Sequence, residues 1–473
     1  MSETSVTGAI VDFIVSADIS EFPGEVVHQA KRCLVDGFGV ILAGSATDSG
    51  PVMRKHVSSF EGRGESTTLG VDPRRVPAAF AALANGTSGH AMDFDDTQLS
   101  KHPGRMFGLL THPTVPPLSA SLAVGERLSS SGARMLEAFL TGFEVECKIA
   151  EAIDPNHYVR GFHTSATCGT FGAAAAAAKL LGLERDAVAR ALGIAASLAG
   201  GIRVNFGTMT KPLHVGRAAE NGVRAAELAS IGFTANENAL DGRWGFFQIF
   251  GGGFEPDIIL GNVGSPHSIV DPGIAVKPYP CGCLGHPSMD AMLELVVEHD
   301  IGPEEIEAIR LRAGSNILGP LRYRKARTGL EAKFCAPFML ASIAIRRRAG
   351  ISEFTDQFVS SEPVQGMMDR VETVLDPEIE AKGYDKMRSV VELDLKDGRA
   401  LVKPSDDRYR GAPDRPLSRQ ELEAKFRECA SLALPEESLD ETLLLIWSIE
   451  ELASLDPLVD AMCAPGRTSS FSR

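Results

Sequence analysis

Four short motifs each place a basic side chain where a helix is about to start: His112-Pro113-Thr114, His163-Thr164-Ser165, Lys211-Pro212-Leu213 and His286-Pro287-Ser288. Proline suits the first helical position, and serine or threonine suits the cap. A helix start exposes unpaired N–H groups and the positive end of the helix dipole, so it favours anions. Converging starts would make a cradle for carboxylates. The same field favours a neutral imidazole over an imidazolium, which suits a general base or a polarising donor near pH 7. Taken singly, each histidine reads as a hydrogen-bonded loop residue; the repetition is what points to a site.

The run Gly89-His90-Ala91-Met92-Asp93-Phe94-Asp95-Asp96-Thr97 puts three carboxylates into four positions at the end of an apolar helix. Helical spacing sets Asp93 on one face with Asp96 or Thr97. Crowded carboxylates raise one another's pKa, so that one can act as acid or base. Two readings compete with this one: the cluster caps the following loop structurally, which is the more favoured of the two, or it holds a divalent cation. Lys277, in Lys277-Pro278-Tyr279-Pro280 after a predicted strand, either clamps an anion across a cleft or is a surface lysine in a rigid turn.

The elements that must position these groups are mostly helices. Helical periodicity or composition covers 4–18, 24–44, 77–93, 114–129, 133–153, 164–181, 185–199, 212–231 and 235–241, broken by Gly, Pro, Ser and Asn. The alanine run from Ala173 to Ala178 predicts a buried helix that its neighbours approach closely. Near residue 265 the pattern changes. Segments 268–270, 274–277 and 306–312, and the pair 389–395 and 399–402 joined by Asp397-Gly398, read as strands, with a helix at 287–299. Ser418 and Glu421 form a capping box that opens a last helical segment. Strands confined to 265–403 predict a mainly α fold: an all-α domain over 1–265, an inserted α+β domain over 266–403, and a return to the all-α domain over 404–473. The tail from about Ala464 is expected to fray.

Composition narrows the function. The 473 residues are 44% hydrophobic and 23% charged, which excludes disorder over most of the length. A net charge of −15 without a Lys/Arg-rich run argues against nucleic acid or an anionic membrane surface as partner. No run of about 18 apolar residues predicts a bilayer span. The start, Met1-Ser2-Glu3-Thr4-Ser5, lacks the basic and apolar regions of a signal peptide, so a cytoplasmic protein is expected. The eight scattered cysteines are expected to be reduced thiols without the spacing of a zinc or iron–sulfur site. The phosphate-loop, nucleophile-elbow and zinc-protease signatures are absent.

Five motifs in order carry a resemblance: Gly89 to Thr97, Thr111-His112-Pro113-Thr114, Gly161-Phe162-His163-Thr164 before a Gly/Ala-rich helix, Thr210 to Ala219, and Lys277 to Pro280. Together they resemble the MmgE/PrpD family over roughly residues 5–455. The family includes 2-methylcitrate dehydratase, cis-aconitate decarboxylase and iminodisuccinate epimerase. The resemblance implies a large all-α domain, a smaller α+β lid domain, a homodimer, and chemistry without an iron–sulfur cluster, an obligatory metal or another cofactor. It implies that Asp93, Thr97, His112, His163 and Lys211 line the substrate pocket, that Lys277 reaches in from the lid, and that His214 and Tyr323 contact substrate. The link from Thr97 to His112 is longer than in the family's lyases and carries Lys101, His102 and Arg105. His102-Pro103 competes with His112-Pro113 as the motif histidine; the Thr-Val-Pro-Pro-Leu run after Pro113 favours His112.

The chemistry implied is deprotonation next to a carboxylate of a small di- or tricarboxylate, with cations stabilising the enolate-like species. In this reading Lys211 and Lys277 hold carboxylates, Asp93 and His163 move protons, and His112 polarises or protonates the departing group. Dehydration is the leading expectation, with decarboxylation of the cis-aconitate type, or epimerisation, as alternatives.

Overall fold

The computed structural model describes residues 5–100, 111–383, 386–405 and 410–464. Lys101, His102 and Arg105, and the tail beyond Ala464, lie outside the described residues.

The fold is mainly α. In the first half the chain forms α1 (Val6–Ser16), α2 (Gly24–Ser45), α3 (Ser49–Val57), α4 (Ala78–Ala91), α5 (Val115–Arg127), α6 (Gly132–Ala152), the single turn α7 (Asn156–Val159), α8 (Thr164–Leu180), α9 (Arg185–Leu198) and α10 (Thr210–Ser230). Serine caps account for two of the starts: Ser5 accepts from the Gly8 N–H and Ser131 from the Arg134 N–H. α8 is the central helix, packed by α5, α6, α9 and α10, with its alanines from Ala173 to Ala178 fully buried. Small residues let these helices meet at backbone distance. A Cβ on Gly44 of α2 would lie 1.8 Å from the Ser88 carbonyl oxygen of α4, and one on Gly216 of α10 would lie 2.4 Å from the Leu83 carbonyl oxygen. α4 is therefore gripped by α2 and by α10, which fixes where its C-terminal end points.

After residue 265 a second core forms around Met289, Met292, Ile309, Leu311, Phe338 and Leu393. A four-stranded sheet runs in the order Val371–Leu375, Ile306–Ala313, Ser389–Leu395, Ala400–Pro404. The first pairing is parallel and the others antiparallel. Alternating burial along Ser389–Leu395 matches a strand with one face on a core. The Asp397-Gly398 turn that joins the hairpin needs glycine, because Gly398 has φ of +86°. α11 (His286–Glu298) and the helix Ala336–Arg346 pack together and against the sheet. The capping box at Ser418 forms as the spacing predicts. Its helix, Arg419–Ala430, packs on α2, and Phe426 joins the core of Leu34, Phe38 and Phe139.

Three expectations are corrected. Residues 235–241 are turns rather than a helix, since the Asn236 side chain accepts from the Asn238 N–H (2.8 Å) and competes with helical pairing. Residues 268–270 are not a strand. Glu144 accepts from the Ser268 N–H (2.7 Å) and pins a helical turn, so extended pairing begins only at Ile274–Ala275. Strands are also not confined to 265–403: Ser66–Thr67 pairs with Arg75–Val76, Gly70–Val71 with Cys463–Ala464, and Thr97–Gln98 with Ile274–Ala275. Two-residue strands are too short to leave an alternating pattern in the sequence. Among the described residues no helix is long and apolar enough to cross a membrane.

Candidate active site

α4 stops at Ala91, and Asp93 takes the left-handed conformation with φ of +52°. The chain turns there, so Asp93 does not share a helical face with Asp96 or Thr97 as their spacing predicts. Cationic and imidazole donors take the carbonyls of this turn. Lys333 Nζ donates to the Met92 carbonyl, Lys277 Nζ to that of Asp93 (3.0 Å), Lys425 Nζ to that of Phe94 (2.7 Å) and His112 Nδ1 to that of Asp96 (2.7 Å). A positive φ at a non-glycine residue costs energy and persists only where surrounding contacts hold it.

Asp93 is the hub. Its Oδ1 accepts from Lys211 Nζ and from Lys277 Nζ, each at 2.9 Å, and all three side chains are buried. Burial alone would push the Asp93 carboxyl up, but the two ammonium groups outweigh it and hold it well below the usual carboxylate range. Burial would likewise lower Lys277, and the Asp93 and Asp95 carboxylates raise it instead. For Lys211 burial wins and its pKa falls, with Asp93 offsetting part of the effect. Lys211 also contacts His90 Nε2 at 2.8 Å. An ammonium only donates, so His90 accepts at Nε2 and carries its proton on Nδ1, from which it donates to Asp95 Oδ2 (2.7 Å).

Two further imidazoles face this hub. His112 donates from Nδ1 to the Asp96 carbonyl, which leaves Nε2 as its acceptor nitrogen. Its backbone N–H donates to Ser165 Oγ (2.8 Å), and burial pushes its pKa down to about 3. His163 occupies the N-cap of α8. Its Nδ1 lies 3.2 Å from His214 Nδ1, and its buried Nε2 has no hydrogen-bond partner among the described residues. Burial first, and the nearby Lys211 ammonium, hold the His163 pKa well below its ordinary value.

Asp93, Thr97, His112, His163, Lys211 and Lys277 line one cavity. The lining also includes the apolar Phe206, Leu284, Leu321 and Phe334, and the Phe206 and Phe334 rings lie 5.3 and 5.4 Å from Lys211 Nζ. The helix starts of α5, α8 and α10 thus converge. His286, at the start of α11, is not among the lining residues and donates from Nε2 to the Cys281 carbonyl (3.2 Å). His214 stands behind His163. Tyr323 is outside the lining, its hydroxyl accepting from Arg322 (2.9 Å). The acidic run divides: Asp95 is held low, whereas burial and Asp36 push Asp96 up to about 8. Sequence reasoning missed His90, Lys333 and Lys425 as site residues. His90 had a signal, because it precedes Asp93 by one helical turn; Lys333 and Lys425 had none.

Two family models match in tandem, the MmgE/PrpD N-terminal domain over residues 8–259 and the MmgE/PrpD C-terminal domain over residues 279–451. The chain belongs to the MmgE/PrpD family. Its relatives include the cis-aconitate decarboxylase of Homo sapiens, 29% identical over 476 residues, covering 98% of this chain and 95% of that protein. The Mus musculus cis-aconitate decarboxylase is 30% identical over 486 residues, covering 99% and 96%. That of Aspergillus terreus is 25% identical over 492 residues, covering 98% and 97%. As an MmgE/PrpD protein with such relatives, the chain is an enzyme of the lyase type.

The MmgE/PrpD site also brings metal-type donors together: His90, His112 and His163 in one set, His90, Asp93 and Asp95 in another, each within 4.8 Å. Several of those lone pairs are already engaged, His90 Nε2 by Lys211 and Asp93 Oδ1 by both lysines. Two ammonium groups beside the donors repel a cation and attract an anion.

Proposed function

We propose that this lyase decarboxylates a small unsaturated tricarboxylate of the cis-aconitate type. The observation that carries the reading is the paired grip of Lys211 and Lys277 on Asp93 in a cavity that apolar side chains such as Leu284 and Leu321 also line. The relatives' names supply the substrate class.

Among the residues that line the cavity, two buried ammonium groups stand against one carboxylate, which favours substrate carboxylates there. A third carboxylate would then lie against the apolar Leu284 and Leu321. A carboxylate stripped of water by such a wall is destabilised, and the neutral CO₂ it becomes is not. As the C–C bond to that carboxylate breaks, its electron pair forms a new C=C bond. The former double-bond pair then moves to the neighbouring carbon, which takes one proton. A trianion plus a proton gives a dianion and CO₂, so the step balances. Lys211 and Lys277 stabilise the charge that builds on the remaining carboxylates. His163 faces the cavity with Nε2 and supplies the proton. Asp93, held ionised, orients the two lysines rather than moving a proton.

Dehydration is the second reading. It needs an acid at the departing hydroxyl, and His112, whose Nδ1 proton is committed to the Asp96 carbonyl, offers an acceptor there. The test is a proton NMR time course in heavy water with cis-aconitate, citrate, 2-methylcitrate and iminodisuccinate. Release of CO₂ from cis-aconitate, with one deuterium in the product, is expected. Conversion of a hydroxy acid alone would overturn the reading.

Residues 266–403 are read as a lid-type domain inserted into the helical one, supported by their separate core and by the return of Arg419–Ala430 to α2. A homodimer is also proposed. Val159, Ile202 and Val204 stay exposed in one area, where Ile202 bridges Phe162, and such a patch suits a second copy of the chain. Sedimentation as a monomer at micromolar concentration would refute the dimer.

A further inference from the structure

His163 has a feature that its role does not by itself explain. Its Nδ1 faces the Nδ1 of a second histidine, His214, at 3.2 Å, while its Nε2 is buried and unpartnered at the cavity. Two Nδ1 atoms make a hydrogen bond only if one carries a proton and the other does not, so the two rings must be complementary tautomers. The contact is built from the backbone outward. His163 donates its N–H to the Gly201 carbonyl (3.1 Å), and a Cβ on Gly201 would lie 3.4 Å from His214 Nδ1. Gly201 has φ of +138°, a conformation open to glycine, and its lack of a side chain lets the strand of backbone lie flat against His214. On α10, His214 lies one turn after Lys211, so the same helix supplies a site cation and the second imidazole. His214 keeps 8% of its surface exposed against 3% for His163, which makes it the member of the pair nearer to solvent.

We infer that His214 is a relay residue that resupplies His163 with the proton it gives to substrate. The inference rests on the decarboxylase reading for the identity of the proton acceptor. In the resting pair His214 holds its proton on Nδ1 and donates to His163 Nδ1, so His163 holds its proton on Nε2, aimed at the cavity. When the His163 Nε2–H bond breaks and the proton joins the substrate carbon, the His214 Nδ1 proton crosses to His163 Nδ1. A water molecule protonates His214 Nε2 and leaves hydroxide to the solvent. Both rings remain neutral throughout. After product leaves, His163 Nε2 regains a proton from water and the bridging proton returns to His214. The Nε2 proton of His214 then leaves to the solvent. The net transfer is one proton from water to carbon.

Neutrality is what makes the relay useful. Burial lowers both rings, His214 to about 4, so an imidazolium is not the resting donor at neutral pH. A neutral imidazole acting alone would have to become an anion, and the second ring removes that cost.

The test has two independent parts. Nitrogen-15 NMR of the histidine rings in the full-length protein reads tautomers without any substrate. His163 protonated at Nε2 and His214 at Nδ1 is expected. Both rings protonated at Nε2, or His163 protonated at Nδ1, overturns the relay whatever the enzyme acts on. The second part assays His214→Asn and His214→Ala on cis-aconitate, alongside wild type. Asparagine keeps a hydrogen-bonding group at the Nδ1 position but passes no proton, so kcat is expected to fall about 100-fold with KM unchanged. Free imidazole should restore the His214→Ala variant by about tenfold or more. His214→Asn with wild-type kcat overturns the relay, whereas an inert wild type refutes the substrate reading and leaves the tautomer result to judge the pair.

Discussion

Lys277 donates to Asp93 twice, to carboxylate Oδ1 at 2.9 Å and to the backbone carbonyl at 3.0 Å. One ammonium therefore fixes both the charge of Asp93 and the backbone turn that aims it. Lys211 completes the carboxylate's neutralisation from another helix, and the cavity is left with more positive than negative charge at its polar end.

Asp93→Asn removes the carboxylate to which two buried ammonium groups donate directly. Unpairing a buried ion in this way typically costs about 3–5 kcal/mol. Urea denaturation should show a loss of that order, and turnover should disappear. A variant as stable as wild type would mean that the lysines find other partners. Lys211→Met leaves Asp93 paired with Lys277, so it should lose turnover while keeping more of the stability.

Gly216→Ala tests how helix spacing sets the site. The added Cβ would meet Thr87 Oγ1 at 2.1 Å and the Leu83 carbonyl oxygen at 2.4 Å. α10 must move off α4, and Lys211 moves with it relative to His90 and Asp93. Overpacking of this kind costs about 1–3 kcal/mol. The expected result is a Tm lowered by several degrees together with a larger fall in kcat. Unchanged kcat at lowered Tm would show that the site tolerates the shift.

Stability should peak near pH 6.5. Burial holds His112 at about 3 and His157 and His214 at about 4 in the folded chain, against 6.5 when unfolded. Between pH 6.5 and about 4 the unfolded chain binds more protons, so stability falls as the pH drops. Asp96 works the other way. It is held at about 8 when folded against 3.8 unfolded, so the folded chain binds the extra proton and stability falls as pH rises through that window. Below 6.5 the lowered imidazoles outnumber Asp96; above it the buried carboxyls that desolvation raises, Asp96 and Glu146, set the slope. Urea midpoints at pH 5, 6.5 and 8 should show the maximum, and Asp96→Asn should make the decline above it shallower. An alkaline decline unchanged in that variant would assign it to other groups.

Exhaustive chelation should leave turnover of the active protein unchanged, because lysines engage Asp93 Oδ1 and His90 Nε2, where an ion would bind. Loss of activity on dialysis against EDTA, with recovery on adding zinc or magnesium, would contradict this.

Much of the fold was legible because the helices announce themselves. α2 begins behind Pro23, α5 carries Pro116 and Pro117 in its first turn, and the Ser418–Glu421 box opens the last predicted helix. Asp93, Thr97, His112, His163, Lys211 and Lys277 were found because each sits in a short motif with local geometry of its own. What stayed hidden was long-range. Nothing near Lys333 or Lys425 says that either reaches the turn after α4. The split of Asp93 from Asp96 was hidden too, since it depends on Lys211 and Lys277 at one carboxylate and on Asp36 near the other. Tyr323 illustrates the limit of position along the chain: it falls near the site in sequence, yet its hydroxyl is bonded to Arg322 outside the cavity lining.

The turn from Met92 to Phe94 is tied by lysines that follow their partners by 241, 184 and 331 residues. Its shape is therefore a coincidence detector for the whole chain. A fragment ending at residue 265 would contain Asp93, His112, His163 and Lys211 but none of the three ties, and a chain cut before the helix Arg419–Ala430 would lack the last one. The full set of ties on the turn that carries Asp93 is therefore complete only with the helix Arg419–Ala430 packed on α2.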